Sequence, residues 1–134
     1  MPYTVVAFET RKLGMTPEAY EDHKENIHMP LVKSIVGDAF PLSHSRYYLK
    51  RNSGAAEVEK GTEALPFVLY GTAEDFNYDC MIVMVFEDFS HFIRFKEAFD
   101  NTPRKAELEE DMEKFIIQSK LKAVVTEDAR VTPR

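Results

Sequence analysis

The chain has 134 residues, 44% of them hydrophobic and 30% charged, which is the composition of one soluble globular domain long enough to bury a core unaided. No apolar run approaches the ~20 residues of a membrane span, and Met1-Pro-Tyr-Thr-Val-Val lacks the basic start and apolar run of a signal peptide. A net charge of −6 makes nucleic acid and anionic membrane poor partners, and the one cysteine, Cys80, has no internal disulfide partner, which points to a reducing, cytoplasmic setting.

Tyr3 to Arg11 reads as a strand apolar on both faces, with Tyr3, Val5 and Ala7 on one and Val6 and Phe8 on the other. Thr16-Pro17-Glu18 opens a helix, Thr16 as N-cap and Pro17 at the first helical position, with Tyr20, Ile27 and Leu31 on its buried face. His23 and His28 lie on this helix. Pro30 lacks an N–H and disfavours the α region at Met29, which predicts a stop or kink beside His28. After Gly37 and a Phe40-Pro41 turn, residues 44–51 form a second strand with His44, Arg46 and Tyr48 on one face.

Residues 52–77 are a long connection, of the kind that usually serves as a functional lid, although Leu65 to Tyr70 is apolar enough to dock on the body. Tyr78 to Phe86 is a third, strongly apolar strand. Asp88 or Ser90 caps a helix carrying Phe92, Phe95 and Phe99. Asn101-Thr-Pro103 breaks it, and a further helix presents Leu108, Met112 and Phe115 before a last strand from Lys120 to Asp128.

The order β-α-β-loop-β-α-β over residues 1–134 predicts one α+β domain, a ferredoxin-like antiparallel sheet with helices on one face. The helices leave the second sheet face uncovered, and it too is apolar in the first and third strands. The expected cover is a second copy, giving a homodimer in which two sheets close an α+β barrel.

His28 is the first candidate for chemistry, since an imidazole with a pKa near 6.5 suits proton transfer at neutral pH. The alternative is a helix-end histidine donating to a carbonyl freed by Pro30. On a regular helix His23 lies about 140° away from His28, so the two meet at one point only if the helix is distorted. His-x4-His is not a helical metal-ligand spacing, and no metal is predicted. His44 offers a second proton donor, and Arg46 or Tyr48 a carboxylate or hydroxyl contact, if their face is the pocket face; otherwise they form an ordinary polar strand face. Asp79 either caps a turn or orients a histidine. Tyr20 packs in the core with its hydroxyl toward the pocket, and Tyr70 and Tyr78 flank the lid, where they could stack on an aromatic ligand. The acidic run Glu107 to Glu113 reads as a solvated helix face, and Cys80 as an apolar filler. With no phosphate loop, dinucleotide fingerprint or serine-nucleophile motif, a cofactor-free reaction is what remains.

Tyr20-x-x-His23-x-x-x-x-His28-Met-Pro-Leu31, with Leu65-Pro, Gly71, Asp75-Phe-Asn-Tyr-Asp79, Phe86-Glu-Asp88 and Asp111-Met-Glu-Lys-Phe115, resembles the EthD-domain branch of the dimeric α+β barrel proteins. It looks most like the small fungal members encoded beside aromatic polyketide synthases. That resemblance implies a cofactor-independent decarboxylase of an aromatic polyketide acid using histidine acid–base chemistry. A dehydratase, cyclase, cofactor-free oxygenase or non-catalytic small-molecule-binding dimer is the alternative. Lys24 stands where relatives often carry an aromatic residue, and Cys80-Met-Ile-Val-Met departs from the small and acidic residues more usual there.

Overall fold

A computed structural model describes residues 1–52 and 65–134. Most of the long connection, residues 53–64, therefore lies outside the described residues, and with it the expectation of a lid. The elements are β1 (Tyr3–Glu9), α1 (Pro17–His23), a π-helical segment (Lys24–His28), α2 (Met29–Val36), β2 (Ser43–Tyr48), β3 (Cys80–Phe86), α3 (Phe89–Asp100), α4 (Lys105–Phe115) and β4 (Lys122–Thr126). The strands form one antiparallel sheet in the order β2-β3-β1-β4. This is the α+β arrangement expected from the order of elements, although each strand is shorter than its apolar pattern suggested.

Strand alternation decides what faces the helices. Val5, Ala7 and Glu9 of β1 and Cys80, Ile82 and Phe86 of β3 are buried there. His44, Arg46 and Tyr48 stand opposite Met84, Ile82 and Cys80, so their face of β2 is the helix-covered one. Tyr20, Val32 and Val36 from the first helical run and Leu108, Met112 and Phe115 from α4 complete the core. The reverse face, with Thr4, Val6 and Phe8 of β1 and Met81, Val83 and Val85 of β3, is half-buried in the single chain, and Val124 of β4 is exposed.

Helix starts follow their caps. Thr16 Oγ1 accepts from the Ala19 N–H at 3.1 Å, and Asp88 Oδ1, rather than Ser90, accepts from the His91 N–H at 2.8 Å. The expected break at Pro30 does not occur. Met29 is helical (φ −61°, ψ −46°), and its N–H bonds the Lys24 carbonyl five residues back. The one-residue shift in the hydrogen-bond ladder puts Pro30 in the first turn of α2, where a missing N–H costs nothing. The same shift changes the helix phase. Ile27, expected on the buried face with Tyr20, is 51% exposed, whereas Lys24 and His28 are buried.

Candidate active site

The π-helical segment is tied to three neighbouring elements by side chains that follow one another in sequence. His23 Nε2 lies 2.8 Å from Asp111 Oδ1, and His28 Nδ1 lies 2.8 Å from Asp111 Oδ2, joining the segment to α4. The Lys24 ammonium donates to Glu9 Oε2 at 2.9 Å, joining it to β1. Glu25 takes the Arg46 guanidinium on both oxygens, at 2.5 and 2.9 Å, and also the Tyr48 hydroxyl, joining it to β2. The i→i+5 ladder stacks residues five apart, so His23 and His28 reach one carboxylate that a regular helix would hold out of reach of one of them.

Asp111 is 6% exposed, and both its oxygens are occupied by imidazoles. A carboxylate only accepts, so His28 donates from Nδ1 and its neutral form leaves a bare lone pair on Nε2. Among the described residues nothing hydrogen-bonds that nitrogen. Burial, and then the Lys24 charge, lower the His28 pKa to about 4 in spite of the Asp111 contact. At neutral pH His28 is thus an uncharged base. Phe115 underlies the group, its ring centroid 4.6 Å from that of His23 and 4.9 Å from that of His28, and excludes water from one side.

His44 belongs to the same neighbourhood. Its Nδ1 lies 2.9 Å from Arg46 Nη1, and burial, the Lys24 and Arg46 charges and then His28 lower its pKa to about 3. Glu9 is 4% exposed and answers both its oxygens, with Tyr20 at 2.6 Å and Lys24 at 2.9 Å, so the buried charge is paired. Burial, reinforced by the Glu9 carboxylate, pushes the Tyr20 hydroxyl far above its ordinary value; burial and Glu25 do the same to Tyr48. Both stay protonated donors. Burial also raises the Cys80 thiol to about 12, in keeping with a filler.

Asp79, considered as the orienter of an imidazole, instead accepts from the Arg11 backbone N–H at 2.7 Å, from Arg11 Nε at 3.0 Å and from Arg51 Nη2. The orienter is Asp111, assigned to a solvated face on sequence. Its signal was present: residues 108, 111, 112 and 115 make one helical stripe, and the acidic neighbours hid it. Glu9 likewise continues the buried alternation of residues 3, 5 and 7. Tyr70 and Tyr78 are not with the histidines. Tyr70 is 89% exposed on an open cleft of about 410 Å³ that it shares with Leu49, Pro66, Phe67 and Phe76. Tyr78 packs edge-on to Phe8, centroids 4.8 Å apart, on the face of β1 away from the helices. The Leu65–Tyr70 stretch does dock, through Asn52 N–H to Leu65 O at 2.9 Å and Phe67 N–H to Lys50 O at 2.7 Å, but most of its apolar side chains point outward. Among the described residues no group of three or more His, Cys, Asp or Glu side chains is arranged to hold a metal ion, and no helix is long and apolar enough to cross a membrane.

A ferredoxin-like sheet whose first helix is widened to bring two histidines onto a buried carboxylate defines a small α+β protein with a polar site inside its core. The EthD domain family model matches residues 12–119, and the chain belongs to the EthD-domain family. Among solved structures it is similar to an EthD-like protein of Ralstonia eutropha JMP134 (14% identity, 93% of this chain and 87% of that one, TM-score 0.51). It is also similar to an ethyl tert-butyl ether D (EthD) family protein of Bacillus halodurans C-125 (18% identity, 96% of this chain and 100% of that one, TM-score 0.51). At these identities the likeness is one of fold. No curated protein sequence matches the chain significantly.

Proposed function

We propose that this protein is a cofactor-independent lyase, a decarboxylase of an aromatic or pre-aromatic polyketide carboxylic acid. The observation that carries this reading is the buried His28–Asp111 pair, which leaves an uncharged imidazole nitrogen with no hydrogen-bond partner among the described residues. A carboxylic acid moved into a buried site favours its protonated form. His28 Nε2 takes the acid proton, and Asp111 stabilises the imidazolium that results. The C–C bond to the carboxyl group breaks, CO₂ leaves, and the bonding electrons pass to the adjacent carbonyl as an enolate. His28 then returns its proton to the carbon that lost CO₂. Protons balance and the imidazole is regenerated. Acid–base assistance of this kind is worth roughly 10²–10⁴ in rate, enough for an acid already prone to lose CO₂.

His23 shares Asp111 and holds it in place, while Tyr20, Arg46 and Tyr48 shape the surroundings through Glu9 and Glu25. The active form is a homodimer in the cytoplasm, a second copy covering the apolar sheet face that the helices leave open. Val6, Val83, Val85 and Val124 supply that surface. The test is incubation of purified protein, without cofactor, with aromatic polyketide acids, followed by mass spectrometry. Loss of CO₂ that vanishes in His28→Ala is the expected result. Loss of water or gain of oxygen would move the chemistry to a dehydratase, cyclase or oxygenase. Tight binding without turnover would make the protein a carrier.

A further inference from the structure

The π-helical segment buries no apolar side chain. Of its five residues only Lys24 and His28 are buried, and Ile27 is 51% exposed. A regular helix would turn Ile27 onto the face of Tyr20, so the widened turn forgoes the burial of an isoleucine. What holds the observed phase against that gain is polar. Asn26 bonds only Asp22, one turn back on the exposed side, and ties the segment to no other element. The meeting of His23 and His28 on Asp111 is as much a product of the phase as a support for it. Two ties remain, and they lie at the ends of one row of the sheet. Glu9, Cys80 and Tyr48 are paired across β1, β3 and β2. At one end Glu9 takes the Lys24 ammonium at 2.9 Å. At the other Glu25 takes the Tyr48 hydroxyl and, on both oxygens, the guanidinium of Arg46, two residues back on the same face of β2. Successive residues of the segment thus reach strands that β3 separates, and a slide or rotation of the segment breaks one tie or both. Lys24 is 2% exposed and Glu9 4%. Such a pair adds little stability, because desolvation offsets the attraction, and its best-attested use is to fix register.

We propose that the Lys24–Glu9 and Glu25–Arg46 ion pairs are register keys, which hold the segment in its π-helical phase against the burial of Ile27 and so place His28 on Asp111. Lys24, Glu9, Glu25 and Arg46 are positioning residues. They act through the Nδ1–H of His28. The decarboxylase reading supplies only what His28 then does, and the register does not depend on it.

The test reads the tautomer of His28, which an imidazole released from Asp111 no longer has fixed. Two-bond ¹H–¹⁵N spectra of ¹⁵N-labelled protein at neutral pH, assigned with His28→Gln, should show His28 protonated on Nδ1 alone in the wild type. Glu9→Gln combined with Lys24→Met removes one key, strands no charge and leaves the Tyr20 hydroxyl an acceptor. Urea unfolding of that double variant should show no loss of stability, yet His28 should shift to a mixture of tautomers. Glu25→Ala should produce the same shift. Glu25→Gln should produce less of it, since the amide oxygen still accepts. Adding Ile27→Gln to either set removes the apolar side chain that the regular helix would bury, and should return His28 to Nδ1 alone. His28 wholly on Nδ1 in the double variant or in Glu25→Ala overturns the proposal, as does a shift that Ile27→Gln does not reverse. A double variant that fails to fold would make the Lys24–Glu9 pair a stabiliser and overturn it too. Tautomers that behave as expected, in a wild type that releases no CO₂ from aromatic acids, would sink the decarboxylase and leave the keys standing.

Discussion

Asp111 and Asp79 are both buried carboxylates, each held by two basic side chains, yet they do different work because their partners differ. Asp111 is bound by His23 and His28, Asp79 by Arg11 and Arg51. A guanidinium keeps its proton at any pH the protein meets, so the Asp79 cluster braces the chain between the end of β1 and the start of β3 and moves nothing. An imidazole gains and loses a proton near neutrality, and burial with Lys24 nearby has lowered His28 into the range of a carboxylic acid. The same residue type in the same degree of burial is tied to guanidinium groups in one place and to imidazoles in the other.

Two substitutions break this comparison most sharply. Asp111→Ala removes the acceptor that fixes the His28 tautomer, and turnover should fall roughly 10²–10⁴-fold in protein that remains folded. Asp79→Ala leaves the buried Arg11 and the half-buried Arg51 without their shared carboxylate and should cost about 3 kcal/mol of stability. CO₂ release per folded molecule should nevertheless stay near the wild-type level. Urea unfolding alongside mass-spectrometric rate measurement separates the two effects. Equal loss of turnover in both variants would end the division between the two carboxylates.

A change of pH sharpens the same contrast. In the unfolded chain His28 titrates near 6.5, and in the folded chain near 4. Between those values the unfolded state binds more protons, so stability falls as pH falls. The loss begins as pH drops through 6.5 and is complete below about 4, on the order of 3 kcal/mol for His28. His44 adds a loss of the same sign that extends to about 3. Unfolding free energy measured from pH 7 to pH 4.5 should therefore slope less steeply in His28→Gln than in the wild type, and an identical slope would contradict the depressed imidazole.

The fold was legible because strand alternation and helical apolar stripes are set by backbone geometry, and Val5, Ala7, Ile82, Leu108, Met112 and Phe115 obey it. His28 was legible because a histidine beside Pro30 is conspicuous. What escaped depended on a departure from regular geometry or on partners distant in sequence. The five-residue spacing of His23 and His28 puts them apart on an α-helix and together on a π-helix, and no local rule distinguishes the two. Asp111 lies 83 positions from His28, and its burial reads clearly only once its acidic neighbours Glu109 and Glu110 are seen to face outward. Asp79 showed the opposite failure. Its place before an apolar strand suggested a turn cap or the orienter of a histidine, but its partners, Arg11 and Arg51, carry no signal in spacing.

The smallest expected effect tests the π-helical phase itself. On a regular helix Ile27 shares the buried face with Tyr20, and replacing it with Gln would bury an amide among apolar side chains at a cost of about 2 kcal/mol or more. The i→i+5 ladder instead turns Ile27 outward, 51% exposed, while Lys24 and His28 turn in. Ile27→Gln should therefore change stability by no more than about 0.5 kcal/mol, as exposed substitutions usually do. Urea unfolding with an unchanged m-value is the readout. A loss near 2 kcal/mol would put Ile27 back inside. It would also return His23 and His28 to opposite sides of a regular helix, and the shared hold on Asp111 would be lost with them.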